Sequence, residues 1–352
     1  MGLPNVNIEF SSKATAAIKQ GTVGLLALAL KDTSVTSGVN QYDLANVSDM
    51  PAELDDTNKT YITEAFAGTP KMVKVVVIQD DAADYSDALN RLETIAFDTL
   101  AFPGAGTGDM STLASWVKSM RDAKDQKIIC VLADHAGDHE GIVNLATSDI
   151  EVSGVKKAAT AFTARVAGLL AGLPLTVAPT FRVLPEVEDV PKMTKAEADT
   201  KIDEGKFVLY HDGEKVKVAR GMTSLTSSEK SAEWKKIKLV RIYDKVYSDI
   251  KKTIEDMYIG SAQNSYSNKL LLINAVNGYL EILEQSNVLD SGKNACSIDI
   301  PAQRAYLKSI GVDTDVMSEQ EIKEANTRDQ VFLTMKIKAL DAIEDVALKI
   351  II

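Results

Sequence analysis

Only three histidines occur in the 352 residues, and two of them lie in one stretch, Asp134-His135-Ala136-Gly137-Asp138-His139-Glu140. Two imidazoles four residues apart with three carboxylates are the donor types of a divalent metal site. The stretch follows an apolar run that reads as a strand, and strand ends are where α/β proteins place such sites. Gly137 between the histidines argues against a helix that would bring both rings to one face. The plainer reading is a polar surface loop. A second candidate is Pro103-Gly104-Ala105-Gly106-Thr107-Gly108-Asp109, between a short strand and a helix. Glycine-rich turns at helix N-termini can cradle phosphate. Here the spacing is GxGxG, no Walker lysine follows, and Asp109 puts negative charge where a phosphate would sit. His211 stands beside the Asp212-Gly213 turn and reads as a solvated hairpin residue. No G-x-S-x-G elbow is present. Cys130 and Cys296 form no C-x-x-C pair, so a reducing compartment is expected. No catalytic, metal-binding or cofactor-binding residue is assigned, and no cofactor is expected. A metal- or nucleotide-dependent cytoplasmic α/β enzyme stands as the alternative reading.

The elements that would carry these loops alternate. Strands are predicted at Met72–Gln79, Thr99–Phe102, Ile128–Ala133 and Ile142–Ala146, and a buried strand at residues 22–30. Helices are predicted at Tyr85–Ala96, Ser111–Ala123 and Val155–Leu170. Strand, helix, strand in this order means an α/β domain with a largely parallel sheet. Residues 31–60 read as polar, with a short helix from Thr60 to Phe66. Beyond lie a strand-like stretch Phe181–Val190, a short helix Lys195–Glu204 and a hairpin of Phe207–Tyr210 with Lys215–Ala219 around Asp212-Gly213. One long amphipathic helix is predicted from Glu229 to Tyr258 and another from Leu270 to Leu283. A short strand Cys296–Ile300, a short helix Ala302–Ile310 and a polar stretch Glu319–Thr327 precede the final strands.

Net charge is -11. That disfavours nucleic acid or an anionic membrane as the main partner, because both need clustered Lys and Arg. The longest apolar run, Val23–Leu30, is too short to span a bilayer. No signal peptide is visible at Met1-Gly2-Leu3-Pro4, so synthesis and assembly in the cytoplasm are expected. Against this acidic background, Lys230 to Lys252 carries eight basic residues and three acidic ones. The simple reading is a solvated helix face, the other an electrostatic contact with an acidic protein.

Both ends of the sequence alternate like strands. Val6, Ile8 and Phe10 alternate with Asn5, Asn7 and Glu9 before any core element. Near the other end, Val331, Leu333, Met335 and Ile337 alternate with Phe332, Thr334, Lys336 and Lys338. After Asp341–Asp345, Val346, Leu348, Ile350 and Ile352 alternate with Ala347, Lys349 and Ile351. An apolar edge strand is an aggregation hazard unless it is covered. The last strand is therefore either ordinary core or built to pair with another copy.

The segments KIKLVRIYDKVYSDIKKTIEDMYIG and NKLLLINAVNGYLEILEQSNVL resemble the C-terminal domain of contractile tail sheath proteins from phages and phage-tail-like bacteriocins. RGMTSLT, Arg220 to Thr226, is similar to the motif that opens that domain. VFLTMKIKALDAIEDVALKIII is similar to its closing strands, with Asp341-Ala342-Ile343-Glu344 between them. Residues 72–180 resemble the family's subtilisin-like, non-proteolytic domain, and the length matches the compact sheaths of Gram-positive origin. The resemblance implies an N-terminal strand-exchange arm (1–20) and an α/β subtilisin-like region with a hairpin insertion (21–220). It implies an α+β C-terminal sheath domain (221–330), then C-terminal strands and an exchange arm (331–352). Val6, Asn7, Ile8, Glu9 and Phe10, and Val346, Ala347, Leu348, Lys349, Ile350, Ile351 and Ile352, would be exchanged between neighbouring subunits. The function implied is structural rather than enzymatic. Hexameric rings stacked helically around an inner tail tube would contract and drive the tube through a cell envelope. Partners would be further copies of the chain, the tube, and baseplate and tail terminator proteins, in a virion or bacteriocin tail. Lys235, Lys238 and Lys245 of the long helix, or Arg304 and Lys308 of the short one, are the candidate tube contacts.

Overall fold

The computed structural model describes residues 17–351. They fall into two compact units, one of residues 21–248 with 339–351 and one of residues 17–20 with 249–338. The division lies inside a helix, between Ser248 and Asp249, whereas the sequence suggests one after residue 220.

The first unit opens with β1 (Leu25–Asp32), β2 (Asn40–Leu44), α1 (Asp56–Phe66), β3 (Met72–Gln79), α2 (Ser86–Leu92) and β4 (Thr99–Ala101). It continues with α3 (Met110–Asp122), β5 (Ile129–Ala133), β6 (Ile142–Leu145), β7 (Ile150–Val152), β8 (Val155–Lys157) and α4 (Ala159–Gly172). After α5 (Lys195–Asp203) come β9 (Lys206–Phe207), β10 (Leu209–His211), β11 (Val216–Val218) and α6 (Ile237–Met257), whose last turns belong to the second unit. Seven strands form one sheet in the order β2-β3-β1-β4-β5-β6-β9. All neighbours are parallel except β2, which pairs antiparallel with β3 at the edge. Leu26 to Leu30 and Cys130 to Leu132 are buried without alternation, as expected of parallel strands covered on both faces. α4 is apolar on nearly every side and packs against α1, β4 and β5.

The second unit comprises the end of α6, α7 (Tyr266–Gln285), β12 (Ala295–Ile298), α8 (Ile300–Ser309), α9 (Glu319–Glu324) and β13 (Leu333–Lys336). β12 and β13 pair antiparallel as a two-stranded sheet, Ala295 opposite Lys336 and Ile298 opposite Leu333. The buried Tyr279 hydroxyl of α7 donates to Asp249 Oδ2 at 2.8 Å, tying α7 to α6.

Five expectations are corrected. β2 lies inside the stretch read as polar: its residues NQYDL are those of a solvated edge strand. Val155–Lys157 is a strand, not the start of α4, because Ser153 (φ 52°) and Gly154 (φ 73°) turn the chain tightly into a hairpin with β7. Phe181–Val190 is irregular and bridges only singly, at Val183 to Lys217 and Asp189 to Glu151. The helix predicted from Glu229 begins at Ile237, after a separate 3-10 turn at Ala232–Lys235, because Lys236 is extended and bridges Met222. The polar stretch after Glu319 contains α9, capped by Ser318 and Glu321 acting on each other's backbone.

Candidate functional site at the root of the C-terminal arm

Two stretches far apart in sequence meet here: Arg220–Thr226 and Leu340–Asp345. The first runs antiparallel to Lys235–Ile237. Thr223 N donates to Lys235 O at 2.8 Å, and Ile237 N donates to Gly221 O at 3.0 Å. Glu344 Oε2 lies 3.3 Å from Arg220 Nε and 3.4 Å from Lys236 Nζ. Its other oxygen accepts from the Thr180 hydroxyl, which itself accepts from Gly221 N at 3.0 Å. Asp341 pairs with Lys236 and Asp345 with Arg220. Lys238 Nζ donates to Leu340 O at 2.7 Å. Beyond this anchored root, Val346 (78% exposed), Leu348 (81%), Ile350 (74%) and Ile351 (85%) carry their apolar side chains in solvent. Residues 346–351 are not in a strand within the chain. Ile352 and the proposed N-terminal strand Val6–Phe10 lie outside the described residues.

Gly221 is where backbone must pass the ring of Pro179: a Cβ added there would stand 2.4 Å from Pro179 Cγ. A proline ring cannot swing aside. Gly221→Ala is therefore expected to destabilise the first unit by about 1–3 kcal/mol, as overpacking does. Urea unfolding followed by tryptophan fluorescence checks this, and an unchanged midpoint would refute it.

The rest of the Arg220–Thr226 motif seats the histidine-containing loop. Ser224 N donates to Ile142 O at 2.7 Å, and the Ser224 hydroxyl donates to His139 O at 3.1 Å. Asp138 Oδ1 accepts from Thr226 N at 2.7 Å and Ser227 N at 2.9 Å. The loop is only in part the polar surface loop expected: Asp134, Ala136 and Asp138 are exposed, but His139 and Glu140 are buried. His135 is half-buried and turned to a different role, its backbone N donating to Asn144 Oδ1. Asp122, His139 and Glu140 do bring carboxylate and imidazole atoms together. However, His139 Nδ1 accepts from Gly141 N at 3.0 Å, so the proton sits on Nε2, which faces Asp122 at 3.2 Å. A metal on Nε2 would need Nδ1 to carry the proton instead, against the Gly141 N–H. Burial holds the His139 pKa below its ordinary value, outweighing the nearby carboxylates, so the ring is neutral near pH 7.

Beside it lies the main buried ion pair, which nothing in the sequence singles out. Arg121 of α3 donates through Nη1 to Asp244 Oδ2 at 2.7 Å and through Nη2 to Oδ1 at 2.9 Å, and Nη1 also reaches Ile128 O. Glu140 stands 3.7 Å from Arg121 and 2.7 Å from Lys230. Gly141 leaves room for the arginine: a Cβ there would fall 2.1 Å from Arg121 Cδ.

The candidate tube contacts separate. Lys238 is buried on Leu340 O and does not present a charge to a partner; burial also lowers its pKa. Its spacing on the helix gave no sign of this, because the arm that covers it comes about a hundred residues later. Lys235 is half-buried and donates to Thr226 O, and Lys245 is half-buried. On α8, Arg304 donates to Thr314 O, while Lys308 is exposed and paired with Asp315 at 2.6 Å. In the glycine-rich turn, the Asp109 carboxylate accepts from Gly106 N, so the turn's own acid occupies a donor a phosphate would need.

The motif placements agree with comparisons to known proteins. A model described as the phage tail sheath protein central domain matches residues 80–224, and one described as the phage tail sheath C-terminal domain matches residues 229–352. The tail sheath protein of Clostridium phage phiCD119 is 35% identical over 359 residues, covering 99% of each chain. The fold is similar to that of the sheath tail protein of Desulfitobacterium hafniense (TM-score 0.70, 17% identity, 84% of this chain and 94% of that one). It is also similar to that of the anti-feeding prophage helical sheath in its contracted state (TM-score 0.75, 15% identity, 100% and 99%). With the sequence motifs, the α/β fold and the full-length relative in agreement, the chain belongs to the phage tail sheath protein family and is a structural subunit of a contractile sheath.

Proposed function

We propose that subunits exchange strands through their terminal arms to form stacked hexameric rings around an inner tail tube. The observation that carries this is the arm itself: a pinned root followed by a run of apolar side chains in solvent. Such a run is suited to β-augmentation, in which backbone hydrogen bonds join chains and alternate side chains set register. The β12–β13 sheet is the natural acceptor. A lone two-stranded sheet is marginal in water, and Thr334, Met335 and Lys336 of β13 are exposed. Val6–Phe10 would serve the same mesh from the other end. Contraction needs no nucleotide or other cofactor, because energy is stored as the difference between two packings of one sequence. The chain is not an enzyme in this reading. It works in a phage or bacteriocin tail, is assembled in the producing cell's cytoplasm, and meets the baseplate and tail terminator at the sheath's ends.

Lys235 and Lys245, or else Arg304 and Lys308 of α8, remain the proposed contacts to an acidic stripe on the tube. Exposed pairs contribute at most about 1 kcal/mol each, and salt screens them, so grip comes from repetition along the tube. Negative-stain imaging of the protein mixed with tube should show long sheaths, fewer in high salt and fewer with Arg304→Glu and Lys308→Glu. Discrete small oligomers from the wild-type protein would refute the sheath assembly, and undiminished sheaths from the reversed variant in high salt would refute the electrostatic grip.

A further inference from the structure

We infer that Leu340–Asp345 is a clasp. It fixes the root of the arm to its own subunit, so that pull on the exchanged strand is delivered to the sheet-bearing unit through Arg220 and the first turn of α6. The inference rests on the strand-exchange reading and adds to it the residue that holds the arm, Glu344.

The clasp is built from both directions. Arg220 and Lys236 come from two backbone stretches that pair with each other, so their positions are fixed before the arm arrives. Glu344 Oε2 lies between the two cations at ion-pair distance, and Oε1 accepts a hydrogen bond from Thr180, whose hydroxyl is itself held by Gly221 N. Lys238 holds the backbone earlier in the same extended segment, at Leu340 O.

The three acids are not equivalent. The Glu344 side chain is 7% exposed, against 36% for Asp341 and 86% for Asp345. Exposed pairs are screened and contribute little, whereas a carboxylate withdrawn from water between two cations is costly to remove. Glu344 is thus the pin, and the two aspartates are guides at the rim. Ile343, between them in sequence, points into solvent at 89% exposure. The clasp therefore holds the arm by charge and hydrogen bonds, leaving the apolar side chains for a neighbour. A strand held at its root searches a small volume, and its effective concentration for a partner is correspondingly high.

The test uses a nitroxide on Ile343→Cys in the full chain, kept dilute and unassembled. Cys130 and Cys296 are buried, so the label goes to position 343. Because the labelled side chain stands in solvent, its spectrum reports the order of the backbone: it is expected to be nearly unchanged by Asp345→Asn and to narrow markedly with Glu344→Ala or with Lys236→Met. Lys236→Met attacks the pin from an already part-exposed position, so a folding failure of one variant does not decide the matter. With tube present, Glu344→Ala should lower the yield of sheath by about tenfold or more. Line widths unchanged from the parent in both variants would overturn the clasp. So would a freed label with normal sheaths, and in that case strand exchange would stand. Normal sheaths from a chain lacking 346–352 would instead overturn strand exchange, and with it the clasp's role in assembly.

Discussion

Deleting Val346–Ile352 is expected to leave a folded chain that builds no sheath. The folded part loses almost nothing, because the described residues of the segment contribute no strand to their own chain and are largely in solvent. On the proposed strand exchange, the assembly loses a strand per subunit. Each intermolecular backbone hydrogen bond contributes only about 1 kcal/mol net, yet a strand carries several and a helical lattice repeats the loss at every subunit. The alternating pattern matters as well: Val346, Leu348 and Ile350 fall on one face, so a polar substitution of those three should act like the deletion. Substituting Ala347 and Lys349 should cost far less. Negative-stain images with tube present, together with circular dichroism of the truncated chain, separate the two effects. Normal sheaths from the truncated chain would refute strand exchange, and loss of the folded spectrum would mean the arm belongs to the subunit's own core.

How much of this was legible in the sequence depended on how local the cause was. β3 and β5 appear because MVKVVVIQ and IICVLA are short, mostly apolar runs of strand length, rich in β-branched residues. β2 was hidden because an edge strand with solvent on it is made of the residues loops use, here Asn40 to Leu44. The start of α6 was hidden because amphipathic spacing continues backward through Trp234. Only the bridge from Met222 to Lys236 reveals the break, and that bridge joins residues fourteen apart. The histidine loop looked polar because its burial is imposed from Ser224 and Thr226, about ninety residues away. The root of the arm was half legible. The Arg220–Thr226 and Asp341–Glu344 stretches both stood out, but that Arg220 and Glu344 touch is a fact of tertiary structure.

Asp244→Ala is expected to be the most damaging single side-chain change in the sheet-bearing unit, costing about 3–5 kcal/mol. Arg121 is 1% exposed, and Asp244 meets its guanidinium with both oxygens. Burial alone would lower the arginine's pKa. The Asp244 carboxylate outweighs that and raises it, so removing the acid leaves a cation that cannot lose its proton. Glu140 cannot replace the acid, standing 3.7 Å away and already engaged by Lys230 at 2.7 Å. Against a total stability of about 5–15 kcal/mol, such a loss would leave many subunits unfolded during assembly. Removing the charge as well should reverse most of it. Arg121→Met with Asp244→Leu replaces both members by apolar groups of similar length, and such exchanges are often neutral or stabilising. The double-mutant cycle, read by urea unfolding in low and high salt, tests the pair directly. A cost for Asp244→Ala below about 1 kcal/mol, or one that vanishes in salt, would mean the pair behaves as a surface contact. A subunit carried from one lattice packing to another must stay intact while its outer contacts break, and the pair joins α3 to the segment of α6 that begins at the clasp. Internal joints of this kind should therefore be insensitive to salt under conditions expected to weaken the proposed grip on the tube.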